Sequence, residues 1–144
     1  MKKITLILLT ITLLFNCTKN DEATSSNGFA GTYRGVVNDT LNGDFISKLN
    51  DYAIIINPTN TPGQVSLSNN LIVTNTGTIS GTSFSIPTTV SVESPNLKAT
   101  EWAIGEFEGP DNNTWNVVFY QEQENPTTGD IISKLTRTCS LVKQ

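Results

Sequence analysis

From Ala30 to the C terminus, no stretch of this chain repeats its apolar residues at the spacing a helix needs to bury one face. The apolar residues alternate with polar ones or come in short runs, and Gly, Pro, Asn, Asp and Ser interrupt them at close intervals. In an extended strand, alternation sends successive side chains to opposite faces, and the interrupting residues supply the reversals. A chain written this way is expected to fold as antiparallel β-structure.

The strands can be placed one by one. Ala30 to Leu41 reads as the first, and Asn42-Gly43 as a two-residue hairpin turn, because both residue types tolerate positive φ. Asp51 to Ile56 reads as the second strand, stopping at Asn57-Pro58. Gln64 to Leu67 and Leu71 to Thr74 flank a turn at Ser68-Asn69-Asn70. Gly77 to Ile79 and Ser83 to Ile86 flank Ser80-Gly81-Thr82, and Thr88 to Val92 extends that region. Lys98 to Glu108, Thr114 to Gln123 and Ile131 to Val142 complete the set. About eight strands joined by short connections favour a meander. A meander leaves two exposed edges unless it closes. The expected fold is therefore an all-β, antiparallel up-and-down barrel. The alternative is a β-sandwich, which needs longer cross-connections.

One internal echo concerns the barrel ends. Gly43-Asp44-Phe45-Ile46-Ser47-Lys48-Leu49 recurs as Gly129-Asp130-Ile131-Ile132-Ser133-Lys134-Leu135. The echo places the first and last hairpins in equivalent structural roles, and it aligns Asp51 with Arg137. If both point inward they could pair, or Arg137 could meet a ligand carboxylate.

Composition narrows the chemistry. The chain has no histidine and two cysteines, Cys17 and Cys139. That removes the Ser-His-Asp triad, the Cys-His dyad, and zinc sites built on histidine or on four thiolates. The net charge is -4 and the only basic stretch is Lys2-Lys3, so a nucleic-acid partner has no electrostatic footprint. Glu106 with Glu108, and Glu122 with Glu124, lie two apart on strands and share a face. Such pairs can serve glycoside hydrolysis, but they are ordinarily solvated strand positions. The oxygen-rich stretch Asn38 to Asp44 does not follow the EF-hand spacing and is accounted for by hairpin chemistry.

The first residues read as a leader. Met1-Lys2-Lys3 is charged and Ile4 to Phe15 is apolar, a run too short for the ~20 residues that span a bilayer. It ends at Leu14-Phe15-Asn16-Cys17, followed by the polar run Thr18-Lys19-Asn20-Asp21-Glu22. This arrangement resembles the lipobox of Bacteroidetes-type lipoproteins, although Phe15 and Asn16 replace the usual small residues. The resemblance implies that residues 1–16 are a signal peptide and that Cys17 is lipidated. It further implies that Lys19, Asp21 and Glu22 form a surface-export signal. Residues 17–28 would be the lipidated cysteine and a flexible tether of roughly 17 Å by random-coil scaling. Residues 29–144 would be the barrel domain, held at the outer membrane and displayed on the cell surface. A Cys17–Cys139 disulfide would require an unmodified Cys17. Asp39-Thr40-Leu41 resembles the short O-glycosylation motif of the same envelope proteins.

Phe29-Ala30-Gly31-Thr32-Tyr33 is similar to the opening strand of calycins, the lipocalin-like and avidin-like barrels, whose signature is Gly-x-Trp. Tyr33 stands in for the Trp. The resemblance implies a barrel closed by Gly31, Tyr33 and a covering cation from the last strand, which would be Arg137. Cys139, two residues on, would fill core space.

These readings lead to a non-enzymatic, membrane-anchored barrel without a cofactor or metal. It is expected to be a monomer that binds a small apolar ligand or a partner protein of the envelope. The alternatives are an envelope interaction or inhibitor module with a filled barrel, and a glutamate-dependent hydrolase.

Overall fold

A computed structural model describes residues 26–69 and 71–144. The leader, Cys17, Lys19, Asp21 and Glu22 lie outside the described residues. A 3-10 turn, Ser26–Phe29, precedes eight strands: β1 Gly31–Leu41, β2 Asp44–Pro58, β3 Gln64–Ser68, β4 Thr76–Ser80, β5 Ser83–Ser94, β6 Leu97–Glu108, β7 Thr114–Glu124 and β8 Ile131–Lys143. Each strand pairs antiparallel with the next, and β8 pairs with β1, so the sheet closes into an up-and-down barrel. Closure removes the free edges that an open meander would present.

The turns follow the sequence where residue type dictated them. Asn42 and Gly43 both adopt positive φ (53° and 96°), and Leu41 pairs with Asp44 across them. Two expectations change. The second strand begins at Asp44 rather than Asp51, and Asp51 sits within it at φ 61° where the register with β1 shifts. A bulge of this kind keeps a strand going past a residue that propensity reads as a break. The stretch from Leu71 to Thr74 is not a strand: β3 and β4 are joined by residues 69–75. Its apolar residues are used differently, with Leu71 buried in the core.

β1, β4, β6 and β8 bring alternate apolar residues inward, among them Tyr33, Val37, Ile79, Ala103, Phe107, Cys139 and Leu141. The half of the barrel near the start of β1 is filled by aromatic rings. Trp115 stacks on Phe107 (ring centres 5.5 Å apart) and meets Phe84, Tyr33 and Phe119 edge-on, while Phe29 from the 3-10 turn packs on Phe107 at 4.6 Å. Each such ring, fully buried, is worth about 1.5–3 kcal/mol of transfer free energy, so this closed end anchors the fold. Gly35 allows the final seam to close: a Cβ there would lie 2.1 Å from the Ser140 carbonyl oxygen of β8.

Candidate functional site

The register decides what closes the barrel floor. Tyr33 pairs with Lys143 across β1 and β8, whereas Arg137 pairs with Asp39. Arg137 comes six residues before Lys143 on the same strand, about 20 Å away at the usual strand rise. Arg137 therefore does not cover Tyr33, and the closure expected of it falls to another residue. The strands are antiparallel, so a ring at the start of β1 meets the end of β8. Lys143 Nζ sits 5.9 Å from the centre of the Tyr33 ring and donates to the Gly28 carbonyl at 3.0 Å. Gly31 has φ 147°, and a Cβ there would be 2.8 Å from Lys143 Cε, so the glycine makes room for the lysine stem. The Tyr33 hydroxyl donates to the Phe29 carbonyl at 3.0 Å. Burial pushes the Tyr33 phenol up to about 12.

The other end is built differently. Here the inward positions of β1, β6, β7 and β8 become polar: Asp39, Glu101, Gln121 and Arg137. Arg137 Nε lies 3.6 Å from Asp39 Oδ1. Both atoms are buried and neither has a hydrogen-bond partner. The second Asp39 oxygen accepts from the Ser47 hydroxyl at 3.0 Å. Arg137 also donates to the Leu71 carbonyl. Glu101 is fully buried on β6; its carboxylate accepts from Gln121 Nε2 at 2.7 Å and from the backbone N–H groups of Val73 (2.9 Å) and Thr74 (3.4 Å). Residues 71–74 are thus held against one wall at two points, by a guanidinium from β8 and a carboxylate from β6, the two strands that flank β7. An unpaired buried charge costs several kcal/mol, and these backbone contacts are what make the placement of Glu101 tolerable.

The wall is incomplete at this end. β3 pairs with β2 only at Ile55–Pro58, and β4 pairs with β5 only at Ser83–Ser85. Beyond those pairs, β2 and β5 extend without a strand between them, with segment 69–75 lying at the base of the gap. Leu41 and Leu49 occupy inward positions in the register, beside Leu135 and Val37, yet they remain 39% and 40% exposed. The open end is therefore a mouth with leucine walls and a charged floor.

The remaining candidates are dispersed. Asp51 is exposed and ion-pairs with Arg34 on the outside at 3.2 Å, so its alignment with Arg137 produces no interior pair. Glu106 and Glu108 lie toward the closed end of β6 and are exposed. Glu122 and Glu124 lie at the opposite end, ion-paired to Lys134 (3.8 Å) and Lys98 (2.7 Å). Cys139 is buried in the core, and burial, reinforced by the nearby Asp39 carboxylate, raises its thiol to about 12. Thr40 of Asp39-Thr40-Leu41 is half-buried within β1, and no group of metal-ligating residues occurs among the described residues. A shallow, largely apolar depression of about 690 Å³ runs over the outer wall of β5–β8 past Ile104 and Val118, away from the mouth.

Sequence reasoning did not single out Glu101, Gln121 or Ser47. The signal for Glu101 was present: it interrupts the inward alternation Ala99-x-Glu101-x-Ala103-x-Gly105-x-Phe107. Comparison with known protein families, curated proteins and solved structures finds no match.

Proposed function

We propose that this chain is a non-enzymatic envelope lipoprotein, lipidated at Cys17, whose barrel mouth holds a small apolar molecule bearing an acidic group. Cys17 would tether it to the outer membrane as a monomer, with Lys19, Asp21 and Glu22 directing it to the cell surface. One observation carries the binding reading. Leu41 and Leu49 stay exposed at inward positions above a floor where Arg137 Nε and Asp39 Oδ1 face one another without a hydrogen bond. An apolar chain would cover the leucines, and an acidic group would take the guanidinium now bonded to the Leu71 carbonyl.

A second reading has its own support. The closed half is filled with aromatic rings, and Leu71 of the β3–β4 connection is buried against them, as an interaction or inhibitor module with a filled barrel would require. The glutamate-dependent hydrolase draws nothing from the placement of its glutamates, which lie toward opposite ends of β6 and β7.

Native mass spectrometry of the full chain, extracted in mild detergent from its own envelope, separates the two. The ligand reading expects a bound acidic lipid-like mass that is lost in Arg137→Gln while the circular dichroism of the barrel persists. A bare protein, or an adduct unaffected by Arg137→Gln, would favour the filled module.

A further inference from the structure

Ser47, Asp39 and Arg137 lie side by side in one inward row, on β2, β1 and β8. Their polar groups do not satisfy one another completely. Ser47 donates to one Asp39 oxygen, and Arg137 gives an outer nitrogen to the Leu71 carbonyl. Asp39 Oδ1 and Arg137 Nε are left over, buried, 3.6 Å apart and without a hydrogen bond.

The charges around this pair are unequal. Among the described residues, the inward positions at the mouth end hold two carboxylates, Asp39 and Glu101, and one cation, Arg137. Glu101 stands one inward row nearer the rim, on the far side of β7 from Arg137. Its partners are Gln121 and two backbone N–H groups, none of them charged. The Cys139 thiol, the next inward position on β8, is raised to about 12 by burial and by the Asp39 carboxylate, so it adds no charge at neutral pH. Asp39 thus faces Ser47 from β2, Arg137 and Cys139 from β8, and Glu101 from β6.

An anion entering this floor meets a conflict. To accept from Arg137 Nε, its oxygen must sit within a few ångströms of Asp39 Oδ1, because those two atoms are only 3.6 Å apart. Two carboxylates so placed, in a site with little water, hold one proton between them. That proton also satisfies both orphaned atoms. A carboxylic acid has a carbonyl oxygen that accepts from Nε and a hydroxyl that donates to Oδ1, whereas a carboxylate only accepts. The apolar part of such a molecule then runs toward the rim past Leu41 and Leu135, which occupy the next inward row.

We propose that the mouth takes up a carboxylic acid together with one proton from solvent, held between the ligand and Asp39 Oδ1, so that binding tightens as pH falls. This uptake rests on the ligand reading above and adds the condition under which that ligand is held. The complex carries one proton more than the separate partners, which sets the sign: affinity rises with proton concentration.

The test is calorimetric titration of the full chain, carrying Cys17→Ser, with decanoic acid and with decanamide. The amide offers the same carbonyl oxygen and an N–H donor without needing a proton. The dissociation constant of decanoic acid should rise about tenfold for each pH unit between about pH 6 and 8, while that of decanamide stays level. Titrations in buffers of different ionisation enthalpy should count about one proton taken up per decanoic acid bound. Asp39→Asn should flatten the decanoic acid slope, and Glu101→Gln should leave it intact. A rise below about threefold per unit, or a slope shared by decanamide, would overturn the proposal. So would a slope that survives Asp39→Asn or disappears in Glu101→Gln. If Asp39→Asn does not fold, the comparison of acid with amide in the chain that keeps Asp39 decides. Decanoic acid that binds without a slope sinks the proton alone and leaves the ligand reading standing. Decanoic acid that fails to bind at any pH sinks both.

Discussion

Lys143 Nζ rests 5.9 Å from the centre of the Tyr33 ring and accounts for the closed end of the barrel together with Gly31. The contact joins the first strand to the last, where an eight-stranded meander either closes or stays open. The ring is fully buried and the lysine only partly so, and a cation at this distance is then worth about 0.5–2 kcal/mol. A double-mutant cycle of Tyr33→Leu with Lys143→Met should therefore return a coupling of about that size in urea unfolding. The Tyr33→Leu, Arg137→Met cycle should be additive within about 0.5 kcal/mol, because the two side chains lie at opposite ends of β8's pairing with β1. Equal coupling in both cycles would be incompatible with the register.

Tyr33 also gives the fold an alkaline limit. Burial disfavours the phenolate, so the folded state holds the proton more tightly than the unfolded chain: about 12 against 10.0. A pKa raised by folding contributes stability that is complete below the unfolded value and is lost as pH rises through the folded one. Stability should then fall between pH 10.0 and about 12. Ultraviolet difference absorbance should show one tyrosine titrating late. Tyr33→Phe should abolish that late titration and flatten the alkaline loss. At neutral pH it should cost about 0.5–1.5 kcal/mol through the missing hydrogen bond to the Phe29 carbonyl. A variant that keeps the late titration would assign it to another residue.

The fold was legible because β-periodicity and turn chemistry are local. Asn42-Gly43 and the alternation of β6 and β7 could be read residue by residue. Register is not local: which residue of β8 meets Tyr33 depends on how far the closing strand slides. A cation six residues out of place satisfied the same pattern. Leu71 to Thr74 failed for a related reason. Its residues suit a strand, but the backbone amides of Val73 and Thr74 are taken by Glu101, and the Leu71 carbonyl by Arg137. Only the closed barrel brings the β6–β7–β8 wall, with Glu101 and Arg137 on either side of β7, across to that segment.

Cys17 carries the anchoring proposal and can be tested without the fold. Cys17→Ser should abolish incorporation of a fatty-acid analogue and release the protein from the membrane fraction. Alanine at Lys19, Asp21 and Glu22 together should leave labelling intact and reduce digestion by protease added to whole cells. A Cys17→Ser chain that still labels would end the lipobox reading. Unchanged digestion of the triple variant would reduce the polar run to a spacer.

Glu101 offers the sharpest test of how the mouth is held. Its carboxylate receives Gln121 Nε2 and two backbone N–H groups of segment 69–75, so its charge is dispersed over three donors. Glu101→Gln keeps the shape but replaces one oxygen with an amide –NH2 that cannot accept, and it removes the charge from the bonds that remain. A hydrogen bond to a charged group is worth about 1.5–3 kcal/mol, and losing one should lower global stability by roughly that amount. The local effect should be larger than the global one. Amide exchange at Val73 and Thr74 should accelerate well beyond what the change in unfolding free energy explains, while the amides of β6 and β7 follow global unfolding. Arg137→Gln should loosen the same segment through the Leu71 carbonyl, and the two losses should not add, since both clamps hold one short segment that either change can release. If exchange at residues 73 and 74 merely tracks global stability in both variants, the segment is held by Leu71 burial rather than by its two polar clamps.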